Sequence, residues 1–159
     1  VGECSVRIVE TEAYRQDKAS HAYTRTMRSA IMYETYGHVY VYFIYGMYFC
    51  VNFTTEREGM PGAVLIRAGE PLQGVEKMKE RRKTEKMENL CSGPGKLCQA
   101  LGITKEQNGL EVGGKISVWE DEFVVGSTGR SRRIGIKDAK HLLWRFFVKG
   151  NRFVSGEKK

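Results

Sequence analysis

The stretch Val39–Phe53, VYVYFIYGMYFCVNF, constrains the fold more than any other part of the chain. Two runs of β-branched and aromatic residues flank Tyr45-Gly46, a composition that suits two strands joined by a turn. It predicts an antiparallel hairpin with Tyr45 at its tip. The turn length decides which side chains share a face. A three-residue turn, Tyr45-Gly46-Met47, pairs Ile44 with Tyr48, Tyr42 with Cys50 and Tyr40 with Asn52, all on one side of the sheet. That side presents aromatic rings and one amide, a surface suited to a planar base. A two-residue turn separates Tyr42 from Asn52.

A large aromatic is unusual at a solvent-facing turn, where Asn, Asp or Gly is favoured. Folded back on its own sheet, Tyr45 is structural. Standing out from a basic protein, it has the form of a wedge that enters the minor groove and unstacks base steps. The charge favours the second reading. Twenty-six Lys and Arg against 19 Asp and Glu give +7, with a pI near 9.3, and such a balance suits a polyanionic partner.

The rest of the chain reads as one α+β domain over residues 1–156 with a short tail, 157–159. Ser5–Tyr14 is expected as a strand, residues 15–30 as a surface loop or short helix, and Ala63–Arg67 as a short buried strand. Pro71–Met87 is expected as a charged helix. Cys91–Lys96 reads as a loop opening into a short helix, Leu97–Leu101, and Leu110–Val125 and Ile134–Val154 as strands. Hairpins and helices that do not alternate predict a curved, mostly antiparallel sheet or open barrel with surrounding helices and a protruding hairpin. No apolar run approaches the ~20 residues of a membrane span, and Val1-Gly2-Glu3-Cys4 is not a secretory signal. The four cysteines read as reduced thiols of an intracellular protein, and Cys91 and Cys98 lack companions for a zinc site. No metal or cofactor is expected.

Three further groups can carry chemistry. Glu10 and Glu12, at i and i+2 in ETEAY, share a face if the segment is a strand. Exposed carboxylates at a strand end are common, but Tyr14 beside them and His21 soon after could sandwich a base while a carboxylate takes a proton from water. Arg67 closes the apolar strand Val64-Leu65-Ile66, either exposed or held against a carboxylate, with Glu12 the candidate partner. Ser92-Gly93-Pro94-Gly95-Lys96 before a helix is a plausible phosphate seat. It is not a nucleotide-binding P-loop, because Leu97 stands where a Mg²⁺-binding hydroxyl is needed.

Taken together, RIVETEAY (7–14), ASHAY (19–23), RTMRSAIMY (25–33), VYVYFIYGMYFCVN (39–52), VLIRAGEPLQG (64–74), LCSGPGKLCQALGI (90–103), RIGI (133–136) and WRFFVKGNRFVSG (144–156) resemble the alkyladenine (3-methyladenine) DNA glycosylase family, mammalian type. The resemblance implies a base excision repair enzyme. It would flip alkylated or deaminated purines from duplex DNA and hydrolyse the N-glycosidic bond without a cofactor, leaving an abasic site. Glu12 would activate water, with Arg67 and the backbone carbonyl of Ile134 positioning it. Tyr14 and His21 would stack on the flipped base, Tyr42 would meet its edge and Asn52 would disfavour normal guanine. Tyr45, with Met47 beside it, would fill the gap in the duplex, and Thr26, Arg28, Met32, Tyr40, Arg82 and Lys96 would contact the DNA backbone or flank the lesion.

By the same resemblance the chain is expected to lack the family's N-terminal helix and strand. It is also expected to act as a monomer, in a nucleus or in a bacterial cytoplasm. Two rival readings use the same residues. A non-catalytic nucleic-acid-binding module has no use for Glu12 near phosphates. A bifunctional glycosylase-lyase requires an amine such as Lys96 for a Schiff base.

Overall fold

A computed structural model describes residues 2–156; the expected tail, residues 157–159, lies outside the described residues. The strands and α-helices of the described residues are, in chain order, β1 (Ser5–Tyr14), α1 (Ala30–Glu34), β2 (Val39–Ile44), β3 (Tyr48–Thr54), β4 (Ala63–Gln73), α2 (Val75–Arg82), α3 (Pro94–Leu101), β5 (Thr128–Ser131) and β6 (Arg145–Val148). The strands form one open antiparallel sheet in the order β2-β3-β4-β1-β6-β5. The fold is α+β, in a single domain.

The hairpin has the three-residue turn. Ile44 pairs with Tyr48, Tyr42 with Cys50 and Tyr40 with Asn52. Tyr45 (φ 54°) and Gly46 (φ 67°) both occupy the left-handed region, an ordinary place for Gly and a costly one for Tyr. The strands then alternate. Val39, Val41, Val51 and Ile66 turn to one side, where Leu97, Cys98 and Leu101 of α3 and Met78 of α2 complete the main core. On the other side Tyr40 and Met32 pack with Ala22 and Ala63, beneath a cavity.

Several expected boundaries move. Pro71–Gln73 belongs to β4 rather than to a helix, because β1 continues to pair as far as Ser5 with Gln73. The helix expected over Pro71–Met87 is therefore α2 alone, opened by Gly74 (φ 72°) and closed at Lys83 (φ 50°). The short helix α3 begins at Pro94, not Leu97, since Pro is pre-set for a first helical turn. Leu110–Val125 forms no strand, only an isolated bridge from Glu111 to His38. Of Ile134–Val154 only Arg145–Val148 is strand, and its partner Thr128–Ser131 was not anticipated. Within residues 15–30 there is a single 3-10 turn, His21–Tyr23, capped by the Ser20 side chain.

Two register shifts position the site. Between β1 and β4 the pairing steps from Ile8–Gly69 to Glu10–Ala68 and then to Thr11–Ile66. Val9 is therefore extra on one strand and Arg67 on the other, and paired bulges of this kind re-aim side chains.

Leu97, 1% exposed between α3 and the sheet, tests the core. Leu97→Ala is expected to cost about 2–5 kcal/mol, measured as the change in urea unfolding free energy.

Candidate active site

Strand alternation turns Glu10, Glu12 and Tyr14 of β1 and Leu65 and Arg67 of β4 toward the side of the sheet opposite α3. Both carboxylates are buried, Glu10 at 1% and Glu12 at 0% exposure, so neither is a solvated strand-end charge. Burying a carboxylate is costly unless it is paired and fully hydrogen-bonded. Glu10 meets that condition completely. Its Oε1 accepts from Arg67 Nε at 3.0 Å, Arg145 Nε at 2.6 Å and Ser155 Oγ at 2.9 Å, and its Oε2 accepts from the Ser155 N–H at 2.6 Å.

Arg67 is shared. Its Nη1 lies 3.3 Å from Glu12 Oε2, so one guanidinium joins both carboxylates. The Tyr14 hydroxyl donates to Glu12 Oε2 at 2.8 Å. Burial, and then the adjacent Glu12 charge, pushes the Tyr14 phenol well above its ordinary range, which keeps it a donor. Glu12 Oε1 accepts the Ile134 N–H at 2.7 Å. Ile134 therefore holds Glu12 through its amide, a contact the sequence did not disclose. Oε1 accepts that one bond, and a carboxylate oxygen has room for a second.

Above this floor is a cavity of about 550 Å³, within the range of small-molecule sites. Tyr14, His21, Tyr42, Asn52, Arg67 and Ile134 all line it. The His21 ring meets Tyr42 edge-on with centroids 4.6 Å apart, and its Nδ1 lies 2.8 Å from the Tyr40 hydroxyl. Asn52, buried, donates from Nδ2 to the Tyr40 carbonyl at 3.1 Å. Tyr45 stands at the mouth, 77% exposed, with Met47 at 63% beside it. The hairpin tip is not folded back on the sheet.

The remaining residues divide. Met32 and Tyr40 are buried in the pocket wall, so their side chains sit inside the domain and not at the surface where a DNA backbone would lie. Packing against Ala22 and Ala63 holds them there. Thr26 and Arg28 are exposed, and Arg28 donates to the Phe43 carbonyl at 2.7 Å with its guanidinium 5.6 Å from the Tyr42 centroid. Arg82 lines the cavity but is occupied with the Asn89 and Leu90 carbonyls and Gln99, tying α2 to α3. Lys96 lies 3.5 Å from Ser92 Oγ at the start of α3. Among the described residues no group of His, Cys, Asp and Glu is placed to hold a metal ion, and no helix is long and apolar enough to cross a membrane.

Reading the sequence missed three participants. Arg145 and Ser155 complete the shell of Glu10, and buried Arg133 holds Asp17 from behind Tyr14. Arg145 stands within Trp144-Arg145-Phe146-Phe147, and a charge inside an aromatic strand was the available signal.

The profile of the methylpurine-DNA glycosylase family matches residues 1–152. The chain belongs to that family. It is accordingly a DNA glycosylase, an enzyme that hydrolyses N-glycosidic bonds, and its substrate is DNA. Relatives include a provisionally named 3-methyladenine DNA glycosylase from Clostridium acetobutylicum, 44% identical over 98% of this chain and 83% of the relative. Proteins with the same provisional name from Agrobacterium fabrum and Methanocella arvoryzae are 46% and 47% identical. They cover 98% and 97% of this chain and 80% and 81% of their own lengths.

Partial burial, and then the nearby Arg28 charge, lowers the His21 pKa from its ordinary 6.5. The neutral ring is therefore the form that faces the pocket at neutral pH. An NMR titration is expected to give a His21 midpoint below 6.5, and Arg28→Gln to move it upward without full recovery, since burial is the larger cause. The stability this histidine contributes is present above pH 6.5 and falls as the pH drops toward the folded-state midpoint, because the unfolded chain then binds more protons.

Proposed function

We propose that the enzyme excises 3-methyladenine and related alkylated or deaminated purines from duplex DNA, one copy of the chain flipping the damaged nucleotide into the 550 Å³ cavity. The observation that carries this reading is the fully buried Glu12, hydrogen-bonded or ion-paired to Tyr14, Arg67 and Ile134, all three of which line that cavity. A purine entering it meets tyrosine and histidine walls, with Glu12 directly beneath the lining residues Tyr14, Arg67 and Ile134.

In this mechanism Tyr14 and His21 stack on the flipped base and Tyr42 meets its edge. Asn52 excludes the 2-amino group of normal guanine. Tyr45 fills the gap left in the duplex. Extrusion costs a few kcal/mol, less for a damaged pair, and each base–aromatic contact returns about 1–3 kcal/mol. Two walls and a wedge therefore roughly offset the cost for a lesion and leave little margin for an intact pair.

Glu12 activates the attacking water through the open acceptor position on Oε1. Its Oε2 is occupied by Tyr14 and Arg67, which fixes the carboxylate plane. Glu12 itself is sealed, so this mechanism requires Tyr14, Arg67 or Ile134, the cavity residues that cover it, to give way to the water. The anionic carboxylate also stabilises the oxocarbenium-like sugar as the bond breaks. A base alkylated at N3 or N7 carries positive charge and departs without an acid. Water attacks the sugar and gives its proton to Glu12 as the base departs, an alkylated base as the neutral species and a neutral lesion with a proton taken up from solvent, which leaves an abasic site with no Schiff base. In this scheme Lys96 and the start of α3 hold phosphate, and Thr26 and Arg28 lie along the strand.

Base release from duplexes carrying one ethenoadenine or hypoxanthine tests the mechanism. Glu12→Gln is expected to reduce single-turnover release by about 10²–10⁴-fold while lesion binding persists. Equal release by the two proteins would remove Glu12 from the chemistry. Tyr45→Ala is expected to weaken lesion-duplex binding by roughly tenfold, the scale of one lost stacking contact, in a gel-shift titration.

A further inference from the structure

Tyr14 has a charged neighbour on the side away from the cavity. The Arg133 guanidinium carbon lies 4.6 Å from the Tyr14 ring centroid and 5.3 Å from that of Trp144. The side chain is 0% exposed and does not line the cavity, so it stands behind the wall that Tyr14 presents. Its Nη1 and Nη2 grip Asp17 at 3.0 and 2.6 Å, and Nη1 also reaches the Ala13 carbonyl at 3.0 Å. Its Nε is a buried donor that meets no polar atom among the described residues. The guanidinium is thus held by one carboxylate, one carbonyl and two aromatic faces.

An aromatic face attracts a cation through its electron-rich quadrupole, and the attraction grows when the pair is desolvated. A cation on one face of a ring opposes a second cation on the other, by polarising the ring and by direct repulsion across a medium of low dielectric. A neutral base loses little from either effect. Asp17 offsets part of the Arg133 charge, so the field at Tyr14 depends on the pair.

We infer that the Arg133–Asp17 pair is a specificity-determining element that acts through Tyr14, weighting the enzyme toward neutral damaged bases and against cationic ones. It rests on the proposed role of Tyr14 as a stacking wall. Arg133 is a positioning residue in this scheme and touches no substrate. The cationic lesions keep the advantage of a better leaving group, and the pair trims that advantage so that neutral lesions are also processed.

The test is the ratio of kcat/KM for release of 7-methylguanine, a cationic base, to that for hypoxanthine, a neutral one, each placed singly in the same duplex. Asp17→Asn leaves the cation uncompensated and is expected to lower the ratio. Arg133→Gln combined with Asp17→Asn removes both charges and is expected to raise it by roughly three- to tenfold, a fraction of a fully desolvated cation–π contact because Arg133 acts through the ring and not on the base. Arg133→Lys keeps the charge and is expected to keep a ratio close to that of the wild type. A residue that only holds the loop would change both rates together, so an unchanged ratio in Asp17→Asn and the double variant overturns the inference. Should the double variant be unfolded at the assay temperature, Asp17→Asn decides alone: a lower ratio supports the inference and an unchanged or higher one overturns it. Release of neither base by the wild-type chain would defeat the proposed function itself, and this inference with it.

Discussion

At the floor of the pocket a single guanidinium, Arg67, lies between two buried carboxylates, 3.0 Å from Glu10 and 3.3 Å from Glu12. Two glutamates against Arg67 and Arg145 leave the cluster electrically balanced, which is the condition for keeping such charges out of water. A buried ion pair is weak evidence for stability, because desolvation offsets most of the Coulomb gain. Its effect here is on geometry. Glu10 accepts from β4, β6 and the Ser155 segment at once, so the two strands flanking β1 and the chain after β6 are held in one arrangement. With its Nε held by Glu10, Arg67 presents Nη1 to Glu12.

The shape of the pocket follows from sheet register. The paired bulges at Val9 and Arg67 bring Glu10 opposite Ala68 while leaving Arg67 unpaired in the ladder. The three-residue hairpin turn puts Tyr42 opposite Cys50 and Tyr40 opposite Asn52, so the aromatic row and the amide face the same cavity. A slip of one residue would send these side chains into the α3 core. The strained Tyr45 at the tip, with positive φ and wide exposure, gains nothing for the fold from that position. Such a cost at a loop tip is the kind that function retains.

Charge also ties the two walls of the pocket to each other. Arg133 backs Tyr14, grips Asp17 in the loop leading to His21, and precedes Ile134, whose N–H meets Glu12. A shift in one of these positions is felt at the other two, because the interior is close-packed and its polar groups have few alternative partners.

The length of the hairpin turn was left open by local pattern, which was enough for the hairpin itself, for β1 and for the basic character of the chain. These depend on side-chain period, turn chemistry and net charge, which neighbouring residues determine. Family motifs marked Tyr14, His21, Tyr42, Asn52 and Arg67, which the structure gathers around one cavity. The end of β4 at Gln73 was not legible, since Pro71 argues against a strand until β1 is seen pairing past it. Nor was the absence of strand in Leu110–Val125, where apolar content exists without a partner. The burial of both carboxylates, the sharing of Arg67, the choice of the Ile134 amide, and Arg133 behind Tyr14 link residues as far as 145 positions apart. Only the tertiary structure decided these, because a charge's partner and its distance from water are set by what the sheet brings beside it and not by what precedes it in the chain.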